Sequence, residues 1–172
     1  ITLSGYGGVT QSSLATVINN GTLVGSNNVG QTFTISPNVF TNNGTLRATL
    51  GATTLSATSW SNVGPPSGAG AFIVDGGTLN LTGNSTGNTG SLSISSGVLN
   101  LGGAIATPPL GNFTRTGGLV NLTGTLDNTG QTLDISGNGI FVKDLQAAVP
   151  AFGAFIRAML RKHPQVFLSQ KN

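Results

Sequence analysis

The chain has 172 residues, one ordinary domain's worth, of which 37% are apolar and only 6% charged, with no glutamate and no cysteine. The net charge of +3 belongs to the tail. Residues 1–140 hold Arg47 and Arg115 against Asp75, Asp127 and Asp134, whereas residues 141–172 hold Lys143, Arg157, Arg161, Lys162 and Lys171 against Asp144. This balance excludes a body that binds nucleic acid, because two arginines cannot neutralise a phosphate backbone; it also excludes disulfides and thiolate metal centres, and no apolar run is long enough for a membrane span.

Taken in chain order, the start at Ile1, with no charged-then-apolar leader, predicts a processed or excised piece of something longer. A glycine followed by an apolar alternation then recurs: NNGTLVG (19–25), NNGTLRATL (42–50), GGTLNLTG (76–83), SGVLNLGG (96–103), GGLVNLTG (117–124) and GNGIFV (137–142). The anchor glycines are Gly21, Gly44, Gly77, Gly97, Gly118 and Gly139, about 21 residues apart except for a wide gap between Gly44 and Gly77. A second strand, QTFTIS (31–36), TTLSAT (53–58), GSLSIS (90–95) and QTLDIS (131–136), lies between them. Each unit therefore reads as two short strands with alternate residues facing a core, separated by Asn-Gly, Thr-Gly or Gly-Gly corners.

A sandwich gives each strand its own neighbours and has no reason to repeat a sequence. In a solenoid every turn lies on a near-copy of itself, so equivalent positions converge on the same residue: Leu, Val and Ile in internal columns, Asn and Thr along corners and outer faces. Like charges stacked about 4.8 Å apart would repel, which explains the neutral polar vocabulary. The expectation is an all-β, right-handed parallel β-helix over residues 1–140, with about six turns and roughly 30 Å of axis.

The wide gap holds TSWSNVGPPSGAG (58–70), read as a looped-out insertion. Recognition usually sits on loops that leave a rigid scaffold, so Trp60 is the ligand-contact candidate, with glycans or neighbouring surface proteins as partners. The alternative is an aromatic folded back onto the coil's flank. SGAGAF (67–72) lacks the Lys-Ser/Thr and helix of a phosphate loop and reads as corner glycine.

Residues 141–172 form a different unit. Pro150 suits a first helical turn, and Phe152, Phe155, Ile156, Met159 and Leu160 recur at helical spacing until Pro164. The spacing predicts a short amphipathic helix over 150–162. A helix laid over the last turn would cap the coil's raw edge; contact with a membrane surface, contact with a further domain, or a tail foreign to the repeats are the other readings.

Repeats of the type G-G-x-L-x-L-x-G, with N-x-G-x-x-L-x-I between them, resemble the passenger domains of bacterial autotransporters and the filamentous-haemagglutinin-like large exoproteins. The resemblance spans roughly residues 15–140 and implies a secreted or surface-displayed stalk, often adhesive. That family's amino-terminal secretion cap and carboxy-terminal membrane barrel have no counterpart in this sequence.

Chemistry is sparse. Asp127 and Asp134 are the closest carboxylates and read as a turn residue and an outward strand position; His163 sits beside a helix-ending proline; there is no G-x-S-x-G elbow and no calcium-binding nonapeptide. Asn20, Asn43, Asn80, Asn84, Asn112 and Asn121 fit N-x-S/T but read as corner and strand-face residues. The reading is a non-enzymatic structural or adhesin-like segment, without metal or cofactor, acting as a rigid rod. A β-helix polysaccharide lyase or hydrolase is the alternative and would require Asp75, Asp127 and Asp134 to cluster. An ice-binding solenoid is the third reading, with Thr32, Thr34, Thr53 and Thr132 as candidates and Asp134 interrupting the array.

Overall fold

The computed structural model describes residues 1–10, 14–25, 28–63, 70–88, 90–106 and 112–130. Every regular element among them is a β-strand, and every pairing is parallel. The strands stack into three ladders. The first contains β1 (Thr2–Gly5), β4 (Thr22–Gly25), β7 (Thr45–Ala48), the first halves of β10 (Ala71–Leu81) and β12 (Ser91–Leu101), and β14 (Asn112–Arg115). The second contains β2 (Gly7–Thr10), β5 (Thr32–Ser36), β8 (Ala52–Leu55), the second halves of β10 and β12, and β15 (Leu119–Leu122). The third contains β3 (Thr16–Asn19), β6 (Val39–Asn42), β9 (Ser59–Asn62) and β11 (Asn84–Asn88), followed by β13 (Ala104–Ala106) on β16 (Thr125–Asp127). The result is a β-solenoid of about five turns, whose passes form six layers and cover about 24 Å of axis at the usual strand spacing.

Alternation along each strand sends every second side chain inward. Leu79, Leu99 and Val120 occupy one column, in register with Phe33 and Thr53, and all five are buried. Leu81 and Leu101 continue the neighbouring column from Ile35 and Leu55. Leu46, Phe72 and Leu92 fill a column on the first face. The internal ladders expected from the repeat are therefore present, and they form a single core. In the third ladder Trp60 lies in register with Ser85, and its ring meets Phe72 edge-on at 5.4 Å between centroids.

The repeat unit differs from the expected one in two ways. Each turn has three strands, not two. The third face is built from TVIN (16–19), VFTN (39–42), SWSN (59–62), NSTGN (84–88), AIA (104–106) and TLD (125–127), which share little sequence. The anchor glycines also belong to two different corners. Gly21 and Gly44 precede first-ladder strands, whereas Gly77, Gly97 and Gly118 precede second-ladder strands. The wide gap after Gly44 thus spans one turn, ending where Gly70 takes the place of Gly44, plus the first half of β10. The proposed insertion at 58–70 shrinks accordingly, because Ser59–Asn62 is strand β9. The expected helix over 150–162, with Phe152, Phe155, Ile156, Met159 and Leu160, lies outside the described residues, as do Asp134 and His163.

The corner from the third face to the first is held by a ladder of buried asparagines. Asn19, Asn42 and Asn62 point inward, with relative exposures of 6%, 0% and 0%. Asn19 Nδ2 donates to Asn42 Oδ1 at 2.7 Å, and Asn42 Nδ2 donates to Asn62 Oδ1 at 2.8 Å. Each amide also donates to the main chain of a neighbouring layer, at Thr45 O, Ala71 O and Ser91 O respectively. Amide groups in a core are tolerated because their partners are inside it. The following glycine is required by proximity: a Cβ on Gly44 would run into the carbonyl of Gly21 in the layer before. This is the physical content of the N-N-G motif at 19–21 and 42–44.

Two buried hydroxyls among the described residues, Thr53 Oγ1 and Ser85 Oγ, have no such arrangement. Thr53 is fully buried in the second-ladder column, packed against Gly25, and its Oγ1 has no hydrogen-bond partner in the protein. Thr53→Val keeps the shape and removes the unpaired group. It is expected to raise the unfolding free energy by about 1 kcal/mol in chemical denaturation.

Candidate binding face

The two carboxylates singled out for chemistry that lie among the described residues, Asp75 and Asp127, do not meet. Asp75, at the bend within β10, receives Arg47 Nε at 2.9 Å and an Arg47 guanidinium nitrogen as well, forming an exposed ion pair across adjacent layers of the first face. The hydrogen bond and charge of Asp75 raise the Arg47 pKa further above its ordinary value. Asp127 ends β16 on the third face, where Thr129 donates to Oδ1 through its hydroxyl at 2.6 Å and its amide at 2.9 Å. These two bonds hold the Asp127 carboxyl below the usual carboxylate range. Asp75 and Asp127 thus sit on different faces, each with its own local partner. Among the described residues no group of three or more His, Cys, Asp or Glu side chains is placed to hold a metal ion.

Trp60 is corrected outright as a ligand-contact candidate. It lies on strand β9, not on a loop, and its side chain is 0% exposed. Its indole N–H donates to Gly83 O at 2.9 Å, which ties the third layer to the corner of the fourth. Nor does it lie on the coil's flank: it fills the interior. The W-S-N alternation matches F-T-N in the layer before, with Phe40 opposite Trp60 and Asn42 opposite Asn62. That match was the available signal, and the Gly-Pro-rich stretch after it masked the strand.

The threonines proposed as an outward array divide. Thr32 and Thr34 lie in outward columns of the second face, Thr53 is inside, and Thr132 lies outside the described residues. The central outward column of that face runs Thr34, Thr54, Asn80, Asn100 and Asn121. Its side chains are joined along the axis. Asn121 Nδ2 donates to Asn100 Oδ1 at 2.8 Å, Asn100 Nδ2 to Asn80 Oδ1 at 2.6 Å, and Asn80 Nδ2 to Thr54 Oγ1 at 3.0 Å. The recurrence of N-L in TLNLTG, VLNLGG and LVNLTG predicted stacking of these amides but not a role for them.

Columns flank this one on both sides: Thr32, Ala52, Thr78, Val98 and Leu119 on one, and Ser36, Ser56, Thr82, Gly102 and Thr123 on the other. None of the three columns contains an ionisable side chain. The first face has Arg47 and Asp75 and the third has Asp127, so the second face is the uncharged one among the described residues. Beside its first flanking column the corners at Val29–Gln31, Leu50–Gly51 and Gly76–Gly77 lie together. They border an open, shallow cleft of about 350 Å³. Thr32, Ala52 and Thr78 line one side, and the rims carry Val29 and Leu50, which are 83% and 42% exposed.

Among the described residues no helix is long and apolar enough to cross a membrane. Comparison with protein-family models, curated proteins and solved structures gives no match to this chain.

Proposed function

We propose that this chain is a non-catalytic, rod-forming segment of a secreted or surface-displayed bacterial protein, adhesin-like in character, whose work is geometric. Its stacked layers hold outward faces at fixed spacing and present them to glycans or neighbouring surface proteins. The observation that carries this reading is the continuity of the columns: the same inward positions are filled from layer to layer, and two asparagine ladders lock the register inside and outside the wall. A coil held along its whole length by layer-to-layer hydrogen bonds resists bending and does not depend on any one loop. The resemblance of the repeats to autotransporter passengers and large exoproteins supports the same role and the same bacterial surface location. The polysaccharide-cleaving alternative gains no support from Asp75 and Asp127, which stand on separate faces.

Force measured along the chain tests the rod directly. With the full chain tethered at both ends, stretching is expected to release single layers in steps of about 70 Å, the extended length of one repeat. Smooth lengthening at low force, without steps, would contradict the reading.

A further inference from the structure

We infer that the second face, together with the cleft along its flank, is a binding site for an uncharged polysaccharide strand lying along the coil axis. The inference deepens the proposed display function and rests on it for its biological setting. Its physical basis is independent.

The first element is the amide comb. Each of Asn80, Asn100 and Asn121 spends one N–H on the layer before it, and Asn80 and Asn100 each accept one bond from the layer after. A carboxamide has two N–H groups and two lone pairs, so each retains a donor and an acceptor capacity beyond the ladder. The ladder fixes the rotamers in advance, so a ligand does not have to order three free side chains. Donors and acceptors then recur about every 4.8 Å along the axis. A polymer of hydroxylated rings presents donors and acceptors in the same alternating manner; a globular protein surface does not repeat at a fixed interval.

The second element is charge. Anionic polymers are held by arginine and lysine, and cationic ones by carboxylates; this face carries neither among its three outward columns. A neutral ligand loses nothing there to charge desolvation, and its binding does not depend on screening. The third element is concavity. The cleft opens onto Thr32, Ala52 and Thr78, and the exposed side chains of Val29 and Leu50 give it apolar rims against which the C–H faces of sugar rings can lie. The apolar rims stand beside layers two and three and the comb occupies layers four to six, so a strand along the axis meets rim and comb in succession, the combination that rings with hydroxyl edges and apolar faces require.

The test is co-sedimentation of the full chain with microcrystalline cellulose, with soluble dextran and polygalacturonate as competitors. The chain is expected to sediment with cellulose, to be displaced by dextran but not by polygalacturonate, and to bind equally at low and high salt. Asn80→Thr, Asn100→Thr and Asn121→Thr made together remove the comb while installing the residue that this column already holds as Thr34 and Thr54. The triple variant is expected to keep the far-UV circular dichroism spectrum of the parent and to bind cellulose at least about tenfold more weakly. Three results would overturn the inference: no binding to cellulose or dextran, undiminished binding by the triple variant, or preference for polygalacturonate, which would assign binding to the basic tail. A chain that releases layers stepwise under force yet binds neither neutral polymer would leave the rod intact and remove only this site. A triple variant that loses its sheet spectrum is replaced by Thr123→Lys, which puts a charge on an exposed position of the same face without touching the ladder. That variant must lose binding for the inference to stand.

Discussion

Trp60→Ala is expected to lower the unfolding free energy by about 3–5 kcal/mol, read as a shift of the denaturation midpoint by far-UV circular dichroism. Trp60 is among the largest fully buried side chains of the core, so truncation opens a cavity between the third face and Phe72. It also leaves Gly83 O without the indole donor. Trp60→Phe separates the two effects: most of the packing stays and the hydrogen bond goes, for an expected loss of about 1–2 kcal/mol. A tryptophan on a solvated loop would give a change within about 0.5 kcal/mol in both cases.

Asn42→Asp is expected to be as damaging at neutral pH, and reversibly so in acid. Asn42 is 0% exposed; its Oδ1 accepts from Asn19, and its Nδ2 donates to Asn62 Oδ1 and Ala71 O. A carboxylate keeps the first bond but confronts two acceptors with no proton to give, and burial without a cation adds the cost of desolvation. The expected loss is about 3–5 kcal/mol at pH 7. Both effects raise the folded-state pKa of the new carboxyl above its unfolded value of about 3.9. Stability is therefore fullest below that unfolded value, where the protonated group again donates one bond, and is lost as pH rises through the folded pKa. Stability measured from pH 3 to pH 8 should fall with rising pH in the variant relative to the parent. A parallel pair of curves would mean that the asparagine ladder is not buried in solution.

Much of the coil was legible because stacking writes itself into sequence. The alternation in TLNLTG, VLNLGG and LVNLTG identified inward leucines and outward asparagines, and coordinates place Leu79, Leu99 and Val120 in one column. What alternation does not encode is which face a strand belongs to. GTLVG at 21–25 and GTLNLTG at 77–83 follow the same inward–outward rule, yet the first lies in one ladder and the second in another. Equating them drew Ser59–Asn62 into an insertion and hid the third strand of each turn. The third face was hard to read because its inward positions differ so much in size, from Trp60 to Ser85, with packing compensated by neighbouring faces rather than within the column. Its one constant feature is polar: Asn19, Asn42 and Asn62 in register. Inward asparagine contradicts the rule that buried positions are apolar, and only the ladder of amide bonds makes it favourable.

The candidate site was legible in its residues and not in its use. Rare side chains, such as the single tryptophan and the few carboxylates, draw the eye as reactive groups, and the structure gives Trp60, Asp75 and Asp127 structural roles. The face argued for binding is built from the commonest residues in the chain. It becomes visible only when register places Asn80, Asn100 and Asn121 side by side, with a cleft on the flank of the same face that ends at the layer of Asn80.

Register is the claim that supports all of this, and methyl-to-methyl nuclear Overhauser contacts in a leucine- and valine-labelled chain measure it. Layers about 4.8 Å apart predict cross-peaks from Leu79 to Leu99 and from Leu99 to Val120, with a parallel set from Leu81 to Leu101 and from Leu101 to Leu122. If Leu99 shows no contact with Leu79 or Val120, the layers are not stacked in this register and the account fails.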